Sequence, residues 1–370
     1  MYMSVSFLEN LEKIQPYVGG MPIQELSRKI GIPEDQIIKL ASNENPYGIS
    51  KKVHKAISEY EEYFLYPDGS GFDLINKISE VFNLKPNQIV LGNGSNDILE
   101  LCARVVANHE SEIIFSEHAF AVYGLVTKAV GAKEIVIPAL DFHHDLDGFF
   151  KAITKKTKLI FIANPNNPTG TLINQQKLFE FIQKVPSNIL VVIDEAYEEY
   201  LEAHLKSNVF LWLEEFENII VSRSFSKAYG LAALRVGFGV GSLKTVSKIN
   251  QIRQPFNVNS LAQIAAIESL NDLKFVEESA IKNNEQKKIL EENFNNLNLS
   301  FIKSYGNFIS FSLGSPSKAL RCYEYLLNKG IILRPISNYG MPDFLRVSIG
   351  TEEENKIFIE KLTEFIGNIK

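Results

Sequence analysis

Lys227 stands in SRSFSKAYGLAALRVG, residues 222–237, among small and hydroxylic side chains, with Arg235 a short way downstream. A lysine that has no carboxylate beside it and a cation nearby gives up its proton more readily, and so becomes a nucleophilic amine. Ser224, Ser226 and Arg235 add hydroxyls and a guanidinium that suit a phosphate. A surface lysine is the alternative, and the apolar, glycine-containing surroundings fit it poorly.

Three further segments hold reactive or anion-binding groups. In VVIDEAY, residues 191–197, an apolar run ends on Asp194, with Tyr197 just beyond it. A carboxylate buried there needs a positive or hydrogen-bonding partner, because an unpaired buried charge costs several kcal/mol. A protonated ring nitrogen would serve, and so would a turn that the aspartate caps. In GNGSND, residues 92–97, Ser95 or Asn96 can cap the next helix and leave backbone N–H groups for an anion, although a plain tight turn has the same composition. In ANPNNPTG, residues 163–170, two prolines and a glycine fix the backbone. Asn166 or Asn167 then projects from a strand end, or the asparagines satisfy their own backbone.

These segments follow β-rich runs. QIVLG, EIIF, EIVI, KLIFIA, NILVVID and NIIVS, between residues 88 and 222, are separated by amphipathic stretches. Apolar runs without alternation are strands covered on both faces, which predicts a mostly parallel sheet flanked by helices. In such a sheet ligands bind outside the carboxyl ends of the strands, where all four segments lie. After residue 272 the texture changes to a polar helix at 273–296, NFISFSL at 307–313, a helix near 317–329 and short strands around Arg334 and Arg346. A smaller α+β domain is expected there. A closing helix places Phe358, Leu362, Phe365, Ile366 and Ile369 on one packing stripe.

The composition agrees. The chain has 370 residues, 45% hydrophobic and 22% charged, which supports a large core and excludes a disordered or fibrous protein. That length exceeds the roughly 250 to 300 residues at which a single core stops growing, so one large and one smaller unit are expected. A net charge of −6 offers no broad positive field for nucleic acid. Cys102 and Cys322 sit in no CxxC or zinc pattern and read as reduced core residues, with no metal site. The opening MYMSVSFLENLEKI has no basic stretch before an apolar run, and no window approaches a membrane span. A soluble cytoplasmic protein without a membrane or nucleic-acid partner is the expectation.

Taken together, these segments resemble the fold-type I pyridoxal-phosphate-dependent aminotransferases, and within them the histidinol-phosphate aminotransferase family. The likeness runs over nearly the whole chain. It includes ASNENPYG (41–48), YPDGSGFDL (66–74), HAFAVY (118–123), NPNNPTG, DEAY, SFSKAYGLAALRVG, GIILRP (330–335) and LRVSIGT (345–351). It implies an N-terminal arm over 1–40 that packs with the small domain or a partner subunit, a large cofactor-binding domain over 41–272 and a small α+β domain over 273–370.

The resemblance also implies roles. Lys227 would bond covalently to the aldehyde of pyridoxal 5′-phosphate and then carry protons as base and acid. Asp194 would keep the pyridine nitrogen protonated, while Asn167 and Tyr197 bond the phenolic oxygen. Phe120 would stack on the ring, with core packing as the competing reading. Ser95, Asn96, Ser224, Ser226 and Arg235 would hold the phosphate, joined by Tyr66 from the second subunit of a homodimer with shared active sites. Arg334 and Arg346 would receive the anionic groups of both substrates, and Tyr17 would cover the substrate phosphate. Arg334 paired with surface acids is the alternative.

The implied reaction moves an amino group between histidinol phosphate and 2-oxoglutarate or glutamate, in histidine biosynthesis. Aromatic amino-acid transamination and decarboxylation of a phosphorylated amino acid are the alternatives on the same scaffold. A regulator without turnover is disfavoured by the retention of Lys227, Asp194 and both arginines. Some positions depart from the family pattern. Ser224 replaces a threonine, GSND replaces GSDE, PYVGG replaces PYVPG, and HAFAVY leaves His118 near the cofactor with no assigned role.

Overall fold

The computed structural model describes residues 5–17 and 19–368. Each of the six β-rich runs forms a strand: β2 (Ile89–Gly92), β3 (Glu112–Ser116), β4 (Lys133–Ile137), β5 (Thr157–Ala163), β6 (Leu190–Asp194) and β7 (Ile219–Ser224). A seventh strand, β8 (Gly237–Gly241), joins them in the order β2-β8-β7-β6-β5-β3-β4. Strand β8 is antiparallel to both β2 and β7, while the pairings among β3 to β7 are parallel. The central strands β6 and β7 are buried at every residue, which is why they do not alternate. The end strand β4 is partly exposed.

The glycines in the β8 sequence GFGVG have a packing reason. A Cβ on Gly237 would stand 2.6 Å from the amide nitrogen of Ser95, and one on Gly239 would meet Ile98 at 2.9 Å. Helix 95–106 lies so close to β8 that side chains there are excluded.

The C-terminal part builds a second sheet in the order β11-β12-β9, from β9 (Phe308–Ser312), β11 (Arg334–Pro335) and β12 (Phe344–Ser348). Arg334 and Arg346 face each other directly in the antiparallel register. A two-stranded parallel pair, β1 (Ile38–Lys39) with β10 (Ile331–Ile332), ties the N-terminal segment to this part of the chain.

The core is divided in the same way. Two clusters cover the large sheet, one around Ile160, Ile193 and Phe225, the other around Leu99, Tyr123 and Phe161. A third gathers Leu40, Leu290, Phe294, Phe311, Phe358 and Leu362. The helix Leu273–Asn296 spans both parts, since Val276 and Ala280 pack on the large core and Leu290 and Phe294 on the small one. In the last helix, Glu352–Asn368, the stripe of Phe358, Leu362 and Phe365 is buried and Ile366 packs beside it, while Ile369 lies outside the described residues. Cys102 and Cys322 are buried free thiols in separate clusters. No helix among the described residues is long and apolar enough to cross a membrane, and no described group of His, Cys, Asp or Glu could hold a metal ion.

Candidate active site

Parallel register brings the ends of β5, β6 and β7 side by side, with Ala163 opposite Asp194 and Asp194 opposite Ser222. The chain therefore leaves the sheet at one edge three times, and these connections carry Asn167, Tyr197 and Lys227 into one pocket. Helix 95–106 contributes Ser95 and Asn96, and the second sheet contributes Arg334 and Arg346.

Asp194 is buried at the strand end, where Oδ2 accepts a hydrogen bond from the Tyr123 hydroxyl at 2.9 Å. Its Oδ1 is buried without a partner. Burial raises the carboxyl to about 6, against the opposing pull of the Tyr123 bond and of the Ala196 N–H. The Tyr123 ring is itself fixed by stacking on Phe161 at 4.6 Å.

Lys227 is half-buried and donates to the Ser42 carbonyl at 3.0 Å. Its amine is depressed to about 8, chiefly by burial and then by Arg346, with a smaller contribution from Arg235. The cation with the larger effect is thus Arg346, more than a hundred residues away, and not the nearby Arg235. Tyr197 is raised to about 12, mainly by burial, so its phenol stays protonated. Asn43 Nδ2 donates to the Tyr197 oxygen at 3.0 Å, which leaves the phenol proton for an acceptor in the pocket.

The anion-binding end is assembled around Arg235. This residue adopts a left-handed backbone with φ 58°, and its Nη1 donates to Ser226 Oγ at 3.1 Å and to the Ala232 carbonyl at 3.0 Å. Ser224 Oγ accepts the Ser226 N–H at 3.1 Å. Gly94, with φ +80°, lies against the guanidinium, and a Cβ there would sit 2.4 Å from Arg235 Nη2. The expected capping by Ser95 or Asn96 does not occur. Gly94 is the N-cap residue, without a side-chain bond, and Asp97 Oδ2 instead accepts the Asn93 N–H at 2.9 Å. The first turn beside Arg235 therefore has no side-chain cap on its amides, which suits an anion.

Opposite, Arg346 is buried, donating to Asn167 Oδ1 and to the Ala41 carbonyl, with Nε lacking a partner. Arg334 is 7% exposed, and the Tyr17 ring lies 5.5 Å from its guanidinium carbon. Of the two candidate asparagines, Asn167 lines the pocket. Asn166 instead donates to the His118 carbonyl at 2.6 Å and to Thr169 at 2.8 Å. Phe120 lines the pocket and also packs edge-on against Tyr123 at 6.1 Å. Tyr66 does not reach the pocket of its own chain; it is 82% exposed and stacks on Phe256 at 4.8 Å.

Sequence reasoning assigned no role to Tyr123, Asn43 or Tyr339. The first two lie inside quoted segments, HAFAVY and ASNENPYG, but nothing local reveals partners 71 and 154 residues away. Tyr339 carries no sequence signal.

The donor set fits a phosphorylated pyridine aldehyde. The free oxygen of Asp194 suits a protonated ring nitrogen, the amine of Lys227 suits an aldehyde, and the helix start with Arg235 suits a phosphate. A sheet of this topology with that donor set at its carboxyl edge defines a pyridoxal-phosphate-type transferase. The model of the aminotransferase class I and II family matches residues 35–362. The chain is 52% identical over 358 residues to the histidinol-phosphate aminotransferase of Methylobacillus flagellatus, covering 96% of each chain. It is 46% identical to histidinol-phosphate aminotransferase 2 of Pasteurella multocida, covering 97% of this chain and 98% of the other. The crystal structure of the Sinorhizobium meliloti histidinol-phosphate aminotransferase with pyridoxal-5′-phosphate shares the fold, with a TM-score of 0.89, 24% identity, and coverage of 100% of this chain and 99% of that one. The chain belongs to the class I and II aminotransferases and, within them, to the histidinol-phosphate aminotransferase family.

Proposed function

We propose that this chain is an aminotransferase that moves an amino group between histidinol phosphate and 2-oxoglutarate, with pyridoxal phosphate as cofactor, in histidine biosynthesis. One observation carries the reading: a single pocket holds a depressed lysine amine and an open buried carboxylate, and is also lined by two arginines paired across β11 and β12. The identities to named relatives support the choice of substrate.

When bound, the cofactor supplies an electron sink for the carbanion left when the substrate Cα loses its proton. The residues of the chain do the rest. Ser95, Asn96, Ser224, Ser226 and Arg235 would hold the phosphate, and Asp194 would keep the ring nitrogen protonated. Asn167 and Tyr197 would donate to the phenolic oxygen, and Phe120 would cover a ring face. Lys227 anchors the aldehyde and then takes the Cα proton, which an amine near 8 can both accept and return at neutral pH. Arg346 and Arg334 receive the anionic end of each substrate, with Tyr17 closing over the phosphate.

The working unit is a homodimer. Tyr63, Phe64 and Tyr66 are 67%, 83% and 82% exposed in sequence, an apolar run that a second copy would cover while delivering Tyr66 to the neighbouring site. The parts 1–40, 41–272 and 273–370 act as an arm that packs with the small domain or the partner subunit, a large cofactor-binding domain and a small α+β domain.

The test is reduction with borohydride followed by mass analysis, expected to place one pyridoxyl group on Lys227 and none on K227A. A panel of histidinol phosphate, phenylalanine, tyrosine and threonine phosphate with 2-oxoglutarate then ranks substrates. A phenylalanine kcat/KM tenfold above that of histidinol phosphate, about 1.4 kcal/mol of transition-state preference, would overturn the substrate assignment.

A further inference from the structure

His118 does not line the pocket, yet it joins the two sheets behind it. It lies in the connection from β3 to helix 121–129, two residues before Phe120, and its Nδ1 is 2.6 Å from the carbonyl oxygen of Tyr339. A carbonyl can only accept, so Nδ1 carries the proton. The His118 carbonyl is held in turn by Asn166 Nδ2 at 2.6 Å, one residue from Asn167. Its ring packs 5.9 Å from Phe142, and Gly340, with φ +74°, lets the turn approach so closely that a Cβ would lie 3.3 Å from the imidazole.

The far end of this strut is the substrate end of the pocket. Tyr339 is buried in the short turn Ser337–Tyr339 between β11 and β12, the strands that carry Arg334 and Arg346. It lines the pocket and shares a hydrogen bond with Tyr17. Ile336, Tyr339 and Met341 form a small cluster with Ala121 and Phe142, so the surroundings of the histidine bond are apolar, while farther along the same contact Arg346 donates to Asn167 and Ser310 Oγ to the Pro168 carbonyl.

We infer that His118 is a positioning residue for substrate anions: its N–H pins the Tyr339 turn to the large sheet and so fixes Tyr339 and Arg334 relative to Phe120, beside the bond by which Arg346 is held to Asn167 directly. The inference rests on the proposed reading of the two arginines as the anion end. Because His118 does not line the pocket, it governs binding of the anion and not the chemical step.

The experiment compares wild type, H118F, which keeps an aromatic ring without the donor, and H118N, which keeps a donor. Isothermal titration of the unreactive dicarboxylate maleate into the holoenzyme reads anion binding directly. For H118F the Kd for maleate and the KM for 2-oxoglutarate are expected to rise together by about threefold to tenfold, the scale of one lost hydrogen bond. The kcat is expected to stay within about twofold, and H118N to recover most of the loss. A folded H118F with unchanged Kd and KM, or with kcat lowered at constant KM, overturns the proposal. If H118F does not fold, H118A is judged by the same criteria. Failure of wild type to turn over histidinol phosphate would refute the substrate reading, while the maleate measurement still decides the role of His118.

Discussion

The hydroxyl of Tyr123 donates to Oδ2 of Asp194 at 2.9 Å, leaving Oδ1 as the oxygen open to a ligand. This bond is one of the forces holding the carboxyl down against its burial. In Tyr123→Phe the Asp194 pKa moves further up, and less of the residue is charged at neutral pH. Cofactor affinity is expected to fall in wild type as pH drops through about 6 and to begin falling at higher pH in the variant, with about a tenfold loss at pH 7. Equilibrium dialysis of pyridoxal phosphate across pH checks this.

Asp194 costs the cofactor-free chain stability. Its folded pKa of about 6 lies above the ordinary 3.8, so the folded state holds the proton more tightly. The penalty is absent below the lower value, grows between the two and is complete above the upper one. Asp194→Asn without cofactor should therefore be more stable than wild type at pH 7.5 by on the order of 1–3 kcal/mol, with the difference vanishing near pH 4. Urea unfolding at both pH values measures it, and the same variant should be catalytically poor.

Lys227 reacts as a neutral amine. With its pKa depressed to about 8, the rate of covalent cofactor capture by the cofactor-free chain should rise with pH through that value and then level off. Borohydride trapping at timed intervals gives the profile. A rate still climbing steeply above pH 10 would show an ordinary lysine.

Gly94 is where backbone and guanidinium touch. Gly94→Ala must displace Arg235 Nη2, 2.4 Å from the new Cβ, and hold alanine at φ +80°. The strain is about 1–3 kcal/mol. Pyridoxal phosphate should bind at least about tenfold more weakly, while pyridoxal without its phosphate loses much less.

The proposal that Tyr66 completes the site of a second copy predicts complementation. K227A and Y66A are each expected to be impaired, and a mixture refolded in equal amounts should regain about a quarter of wild-type sites through the mixed dimer. No gain on mixing would mean that Tyr66 serves no neighbouring pocket.

The strands were largely legible because burial leaves a local mark: β6 is apolar up to Asp194, and β7 opens on Ile219, Ile220 and Val221 before it turns polar at Ser222. Strand β8 was not, since its glycines answer to a helix that approaches it from far away in sequence. The capping role expected of Ser95 or Asn96 was wrong for a related reason. Asp97 reaches back to the Asn93 N–H, a choice that residue type alone does not dictate.

Residue types and their order along the chain placed Lys227, Asp194, Tyr197 and Arg235 at or after strand ends that share one edge of a parallel sheet, and the family resemblance joined them with Asn167, in preference to Asn166, as one chemical set. Folding chose what each of them touches. The Arg346 charge that depresses Lys227, the Asn43 amide on Tyr197 and the Tyr123 hydroxyl on Asp194 all come from distant segments. Hydrogen bonds and charges act through space over a few ångströms, and only the packed sheets bring those segments within that range.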